Sequence, residues 1–144
     1  MENQESREQD KKRFLRRYRK NVLCVSRLEE KLDFLNSRLT SPKAPSLSGM
    51  PRGGTPITTS DLIAEKIELE ERIARLKEKG KILKSEILEE IDTLEDPRYC
   101  EVLEAFFIDG CSLDDIAKKE CYTDRHVYRL YSKAITLLTL KDEN

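Results

Sequence analysis

The 144-residue sequence predicts an all-α protein: a long antiparallel helical hairpin (a coiled coil) followed by a C-terminal helix-turn-helix bundle. Three observations lead there. Two long stretches carry apolar side chains at steps of three and four residues. A proline- and glycine-rich segment separates them. Finally, SLDDIAKKECYTDRHVYRLYSKA, from Ser112 to Ala134, reads as two short helices joined by a tight turn. Charged and hydrophobic residues each make up 38% of the chain and tryptophan is absent. That balance suits solvated helices better than a thick core.

The first helix is expected from about Ser6 to Leu39. Leu15, Tyr18, Val22, Val25, Leu28, Leu32, Leu35 and Leu39 step by three or four, with one slip in the heptad frame between Val25 and Leu28. Residues 40–59, TSPKAPSLSGMPRGGTPITT, then break regular structure. Pro42, Pro45, Pro51 and Pro56 remove backbone donors, and Gly49, Gly53 and Gly54 free the chain. A loop of that length can return the chain, so two helices of similar length are expected to pair as a hairpin.

Ser60 is the expected N-cap of the second helix, with Asp61 in its first turn. Leu69, Ile73, Leu76, Gly80, Leu83, Ile87 and Leu94 form a seam that lacks an apolar residue at Glu90, beside which Ile91 compensates. Gly80 costs about 1 kcal/mol against alanine in a helix interior, so it marks a kink or a close crossing. The expected division places the hairpin in residues 1–95 and the helix-turn-helix bundle in 96–140.

Asp96 and Pro97 open a third helix as N-cap and first helical residue. Val102, Leu103, Phe106 and Phe107 share one side of it, and Gly110 lies just beyond its end. So few residues follow Pro97 that this bundle is expected to lean on the end of the second helix. Ser112 caps the next helix, with Asp115 in capping-box position. Ala117 supplies the small side chain needed where the last two helices cross. Thr123 caps the final helix, whose buried stripe is expected to be Val127, Leu130, Ala134 and Leu137. Arg125, His126, Tyr128, Arg129, Ser132 and Lys133 remain for its other faces. Arginines suit guanine edges, while Lys118, Lys119 and Lys133 suit phosphates.

RYCEVLEAFFIDGCSLDDIAKKECYTDRHVYRLYSKAITLL resembles region 4 of sigma-70-type factors. SPKAPSLSGMPRGG between two long charged helices resembles small phage-encoded proteins with a sigma-region-4-like C-terminus, related to phage transcriptional regulators of the ArpU and RinA type. The resemblance implies that Arg125, His126 and Arg129 read bases, with Thr123 and Lys133 at the backbone. The helix from Ser112 to Lys119 would lie across the phosphates. Glu120 and Cys121 depart from the family's turn, where an apolar residue and glycine are common. A left-handed Cys121 would carry a backbone cost, and Glu120 must face solvent.

KKRFLRRYRK, Lys11 to Lys20, holds seven basic residues and no acid. It offers a solvated helix face, an auxiliary nucleic-acid contact or a contact for a protein partner. Charge is uneven elsewhere too. Residues 60–96 carry 7 basic and 12 acidic groups, so a polyanion would meet local basic patches on a chain of net charge -1. Cys24, Cys100, Cys111 and Cys121 lack paired spacing and His126 is the lone histidine, so no metal site and no cofactor are expected. Neither a catalytic constellation, nor a signal peptide, nor a membrane span is evident. The expected product is a cytoplasmic, non-enzymatic, sequence-specific transcription regulator of phage or prophage origin. Its expected partners are double-stranded DNA, host RNA polymerase and, through the coiled coil, a second copy. The alternative is a coiled-coil adaptor, for example polymerase-binding, without DNA binding of its own.

Overall fold

The computed structural model describes residues 2–40 and 58–140. The fold is all-helical, with five α-helices and no strand among the described residues: α1 (Glu2–Thr40), α2 (Thr59–Ile91), α3 (Pro97–Phe107), α4 (Leu113–Glu120) and α5 (Asp124–Leu137). The proline- and glycine-rich segment expected as a loop lies, from residue 41 to 57, outside the described residues.

The helix ends follow local chemistry, with one correction. The cap of α2 is Thr58, not Ser60: Thr58 Oγ1 accepts from the Asp61 N–H, and the Asp61 carboxylate accepts from the Thr58 N–H. This reciprocal pair is a capping box that begins two residues earlier than expected. Asp96 caps α3, accepting from the Arg98 N–H, with Pro97 in the first turn. Ser112 caps α4 and Thr123 caps α5, each accepting from an N–H three residues on. At the far end α2 stops at Ile91, so Leu94 belongs to the following turn rather than to the helical seam.

The chain divides into two compact units that do not follow its linear order: residues 1–22 with 79–144, and residues 23–78. The expected boundary at 95/96 falls inside the first of these. In that unit α3, α4 and α5 close around Val102, Leu103, Phe107, Ile116, Ala117, Val127, Leu130, Ala134 and Ile135, and Leu15, Ile87 and Ile91 complete the same core. The support expected from the end of α2 is therefore present. The contribution of α1 through Leu15, with Phe14 and Tyr18 packed beside it, was not foreseen.

Gly80 marks a close approach. A Cβ there would stand 2.6 Å from Asn21 Oδ1 and 3.9 Å from the Tyr18 ring. Arg17 meets Glu86 at 3.5 Å in the same unit. In the second unit, Val25, Leu28 and Ile73 form a small core with Cys24, Leu32, Leu69 and Leu76 against it, and Lys77 approaches Glu29 at 3.7 Å.

Candidate nucleic-acid interface

The stretch from Ser112 to Leu138 positions a set of cations by burying what lies behind them. Ile116 and Ala117 of α4 are buried against Val127, Leu130 and Ala134 of α5. Ala117, 2% exposed, is the small residue that lets two backbones come this close. Between the helices, Cys121 adopts φ 58 and ψ 37, and its N–H donates to the Ala117 carbonyl. The Tyr122 N–H donates to the same oxygen at 2.9 Å. The left-handed conformation that glycine would adopt freely is thus imposed on a cysteine by the hydrogen bonds that end α4. Glu120, expected in the turn, is the last residue of α4 and is exposed.

The buried stripe of α5 differs from expectation at its end. Leu137 is 50% exposed, whereas Tyr131, Ile135 and Leu138 join Val127, Leu130 and Ala134 inside. Leu138 caps the helix, its N–H still bonded to the Ala134 carbonyl. Four residues on from Ala134 and seven from Tyr131, it lies on the same buried face, whereas Leu137 is turned about 80° away from Val127. Tyr131 is held in an aromatic cluster with Phe106 and Phe107, with ring centroids 5.2 and 6.0 Å away. Burial pushes its phenol pKa up, partly opposed by the nearby Arg16 guanidinium.

With Val127 inward, a rise of 100° per residue turns Arg125, Arg129 and Ser132 to the opposite side of α5. Arg125 and Arg129 are exposed, and neither has an ion-pair partner among the described residues. Tyr128, 62% exposed, stands on one shoulder. On the other shoulder are Lys133 and His126. His126 is half-buried, its ring edge-on to Tyr122 at 4.8 Å, so it is less free than the arginines. Lys133 is exposed and close enough to Asp96 to help hold that carboxyl below its usual pKa range, although the larger causes are hydrogen bonds from Arg98. Thr123 Oγ1 is occupied as an acceptor by the His126 N–H. Lys118 and Lys119 are exposed in the last turn of α4, where the helix dipole alone favours cations.

Two cations beside α5 escaped the motif because they are remote in sequence. Arg98, at the head of α3, binds Asp96 through its side chain at 2.9 and 3.2 Å. Arg16, on α1, lies near Tyr131. Three of the seven basic residues from Lys11 to Lys20 are engaged elsewhere. Lys11 is buried, Arg13 pairs with Asp10, and Arg17 pairs with Glu86. No group of histidine, cysteine, aspartate or glutamate side chains among the described residues is arranged to hold a metal. No described helix is long and apolar enough to cross a membrane.

No protein-family model, curated protein or solved structure matches this chain.

Proposed function

We propose that the chain is a sequence-specific DNA-binding transcription regulator of phage or prophage origin. Helices α4 and α5 act as its helix-turn-helix, within a C-terminal bundle like region 4 of sigma factors. One observation carries this reading. Arg125 and Arg129 project side by side from the exposed face of α5, free of ion pairs among the described residues, while the opposite face is locked into the core. An α-helix so presented fits a major groove, and its arginines can hydrogen-bond guanine edges in pairs. Lys118, Lys119 and Lys133 serve as phosphate contacts, with Tyr128 and His126 at the margins. Within the first compact unit rising residue numbers of α1 meet falling numbers of α2, as in Arg17 with Glu86 and Asn21 with Gly80. That pairing supports an antiparallel hairpin, whose role is to assemble the regulator or to contact RNA polymerase.

Selection of bound sequences from a random duplex pool tests the reading and yields the target. Binding is expected to weaken steeply with salt. Arg129→Ala is expected to cost about 1–3 kcal/mol and to relax the preference at one base position. Duplex binding that is absent, or unaffected by removing Arg125 and Arg129, sinks it.

An adaptor without DNA binding is the second reading. The feature that favours it is Phe34, a large aromatic left 63% exposed on α1.

A further inference from the structure

Four residues on the outer side of α1 form a stripe: Leu23, Arg27, Glu30 and Phe34. At 100° per residue they fall within about 60° of one another. Val25, Leu28 and Leu35, on the far side of the same helix, are buried. All four stripe residues are exposed, Leu23 by 58% and Phe34 by 63%. Neither Arg27 nor Glu30 has an ion-pair partner within its own chain among the described residues. Arg38 sits over the Phe34 ring, 5.9 Å from its centroid, and leaves that ring largely open to solvent.

The order apolar, basic, acidic, apolar is complementary to itself when reversed. If the helix meets an identical helix running the opposite way, with the two-fold axis between Leu28 and Glu29, Leu23 faces Phe34 of the second copy and Arg27 faces its Glu30. Symmetry repeats both pairs, so the contact has two apolar pairs at its ends and two ion pairs between them. A parallel arrangement in register would set Arg27 on Arg27 and Glu30 on Glu30. Charge therefore selects the antiparallel one.

We infer that this stripe is an interface for a second copy of the chain, joined antiparallel through α1. The inference stands whether or not α5 binds DNA. It gives Leu23 and Phe34 an occupant, and it places both charges of the stripe opposite their complements.

Sedimentation equilibrium of the full chain tests it, with circular dichroism as the check on folding. The unaltered chain is expected to dimerise reversibly. Arg27→Glu and Glu30→Arg, made singly, each turn two attractive pairs into two repulsive ones and are expected to raise the dissociation constant about tenfold or more. Made together they restore opposite charges across the axis, and dimerisation is expected to return to within a few-fold of the original. Phe34→Ala, at an exposed position, is expected to weaken the dimer while leaving helix content intact. A chain that stays monomeric through the micromolar range overturns the inference. So does a dimer indifferent to both single charge reversals, or a double variant no tighter than the worse single one.

Discussion

The Lys11 ammonium of α1 donates a buried hydrogen bond to the Ile135 carbonyl at 3.1 Å and a second to the Thr136 carbonyl at 3.1 Å. These carbonyls lie in the last turn of α5, where no intrahelical partner is available. The last turn of α5 has no basic residue of its own. Lys11 therefore supplies from another helix both the missing donors and the positive charge that a helix C-terminus favours. Glu8 adds to the same junction by accepting from the Thr136 hydroxyl at 3.3 Å.

Lys11→Met keeps the aliphatic stem but leaves two acceptors without donors at the end of α5. A loss of about 2–3 kcal/mol is expected, measured as a shift in the denaturant midpoint at unchanged slope. If the midpoint does not move, Lys11 is not holding α1 to α5.

Cys121→Gly is expected to stabilise the protein by about 1 kcal/mol, because the left-handed conformation at φ 58 then carries no Cβ penalty. The side chain is exposed, so little packing is lost in exchange. Thermal unfolding of the two proteins side by side gives the sign directly.

Glu90 occupies the position where the α2 seam lacks an apolar residue. It is only 5% exposed, and its Oε2 has no hydrogen-bond partner among the described residues. A buried polar atom of that kind costs free energy that an apolar side chain of similar size does not. Glu90→Met is therefore expected to raise stability by about 1–2 kcal/mol, measurable by urea denaturation. A destabilised Glu90→Met protein would mean that the carboxylate has a role which outweighs its desolvation.

Asp96 is held below its ordinary carboxylate pKa by hydrogen bonds from the Arg98 side chain and N–H. A carboxyl with a depressed folded pKa stabilises the fold above its unfolded value of about 3.9, and that contribution disappears as pH falls through the folded value. Asp96→Asn is thus expected to be less stable than the parent at neutral pH. The difference should shrink below about pH 4, where the parent loses its own advantage. Chemical denaturation at a series of pH values checks this, and a gap that persists in acid contradicts it.

The helices were legible because their signals are local. Asp96-Pro97, Ser112 with Asp115, and Thr123 before α5 each complete a cap within three residues, so no tertiary contact is needed to read them. The misplaced cap at Ser60 shows the limit of that logic. Thr58, Ser60 and Asp61 are all competent residues there, and the bond that forms decided among them. Leu137 and Leu138 are likewise adjacent leucines, and the buried face set by Val127, Tyr131 and Ala134 takes Leu138, which lies on their line, and leaves Leu137 half exposed.

The sequence by itself determined the all-helical class, the existence of each helix, and the cations that α4 and α5 display. Periodicity, capping and turn chemistry act over a few residues, and the chain states them openly. Only the tertiary structure decided that Lys11 and Arg17 of the basic run of α1 are engaged by residues far along the chain. It also decided that α1 helps build the core around α3, α4 and α5. The physical reason is range. Lys11 and Ile135 are separated by 124 positions, and no local pattern records which distant carbonyl a lysine will meet. That depends on which apolar faces pack first and on which polar groups the packing leaves without water.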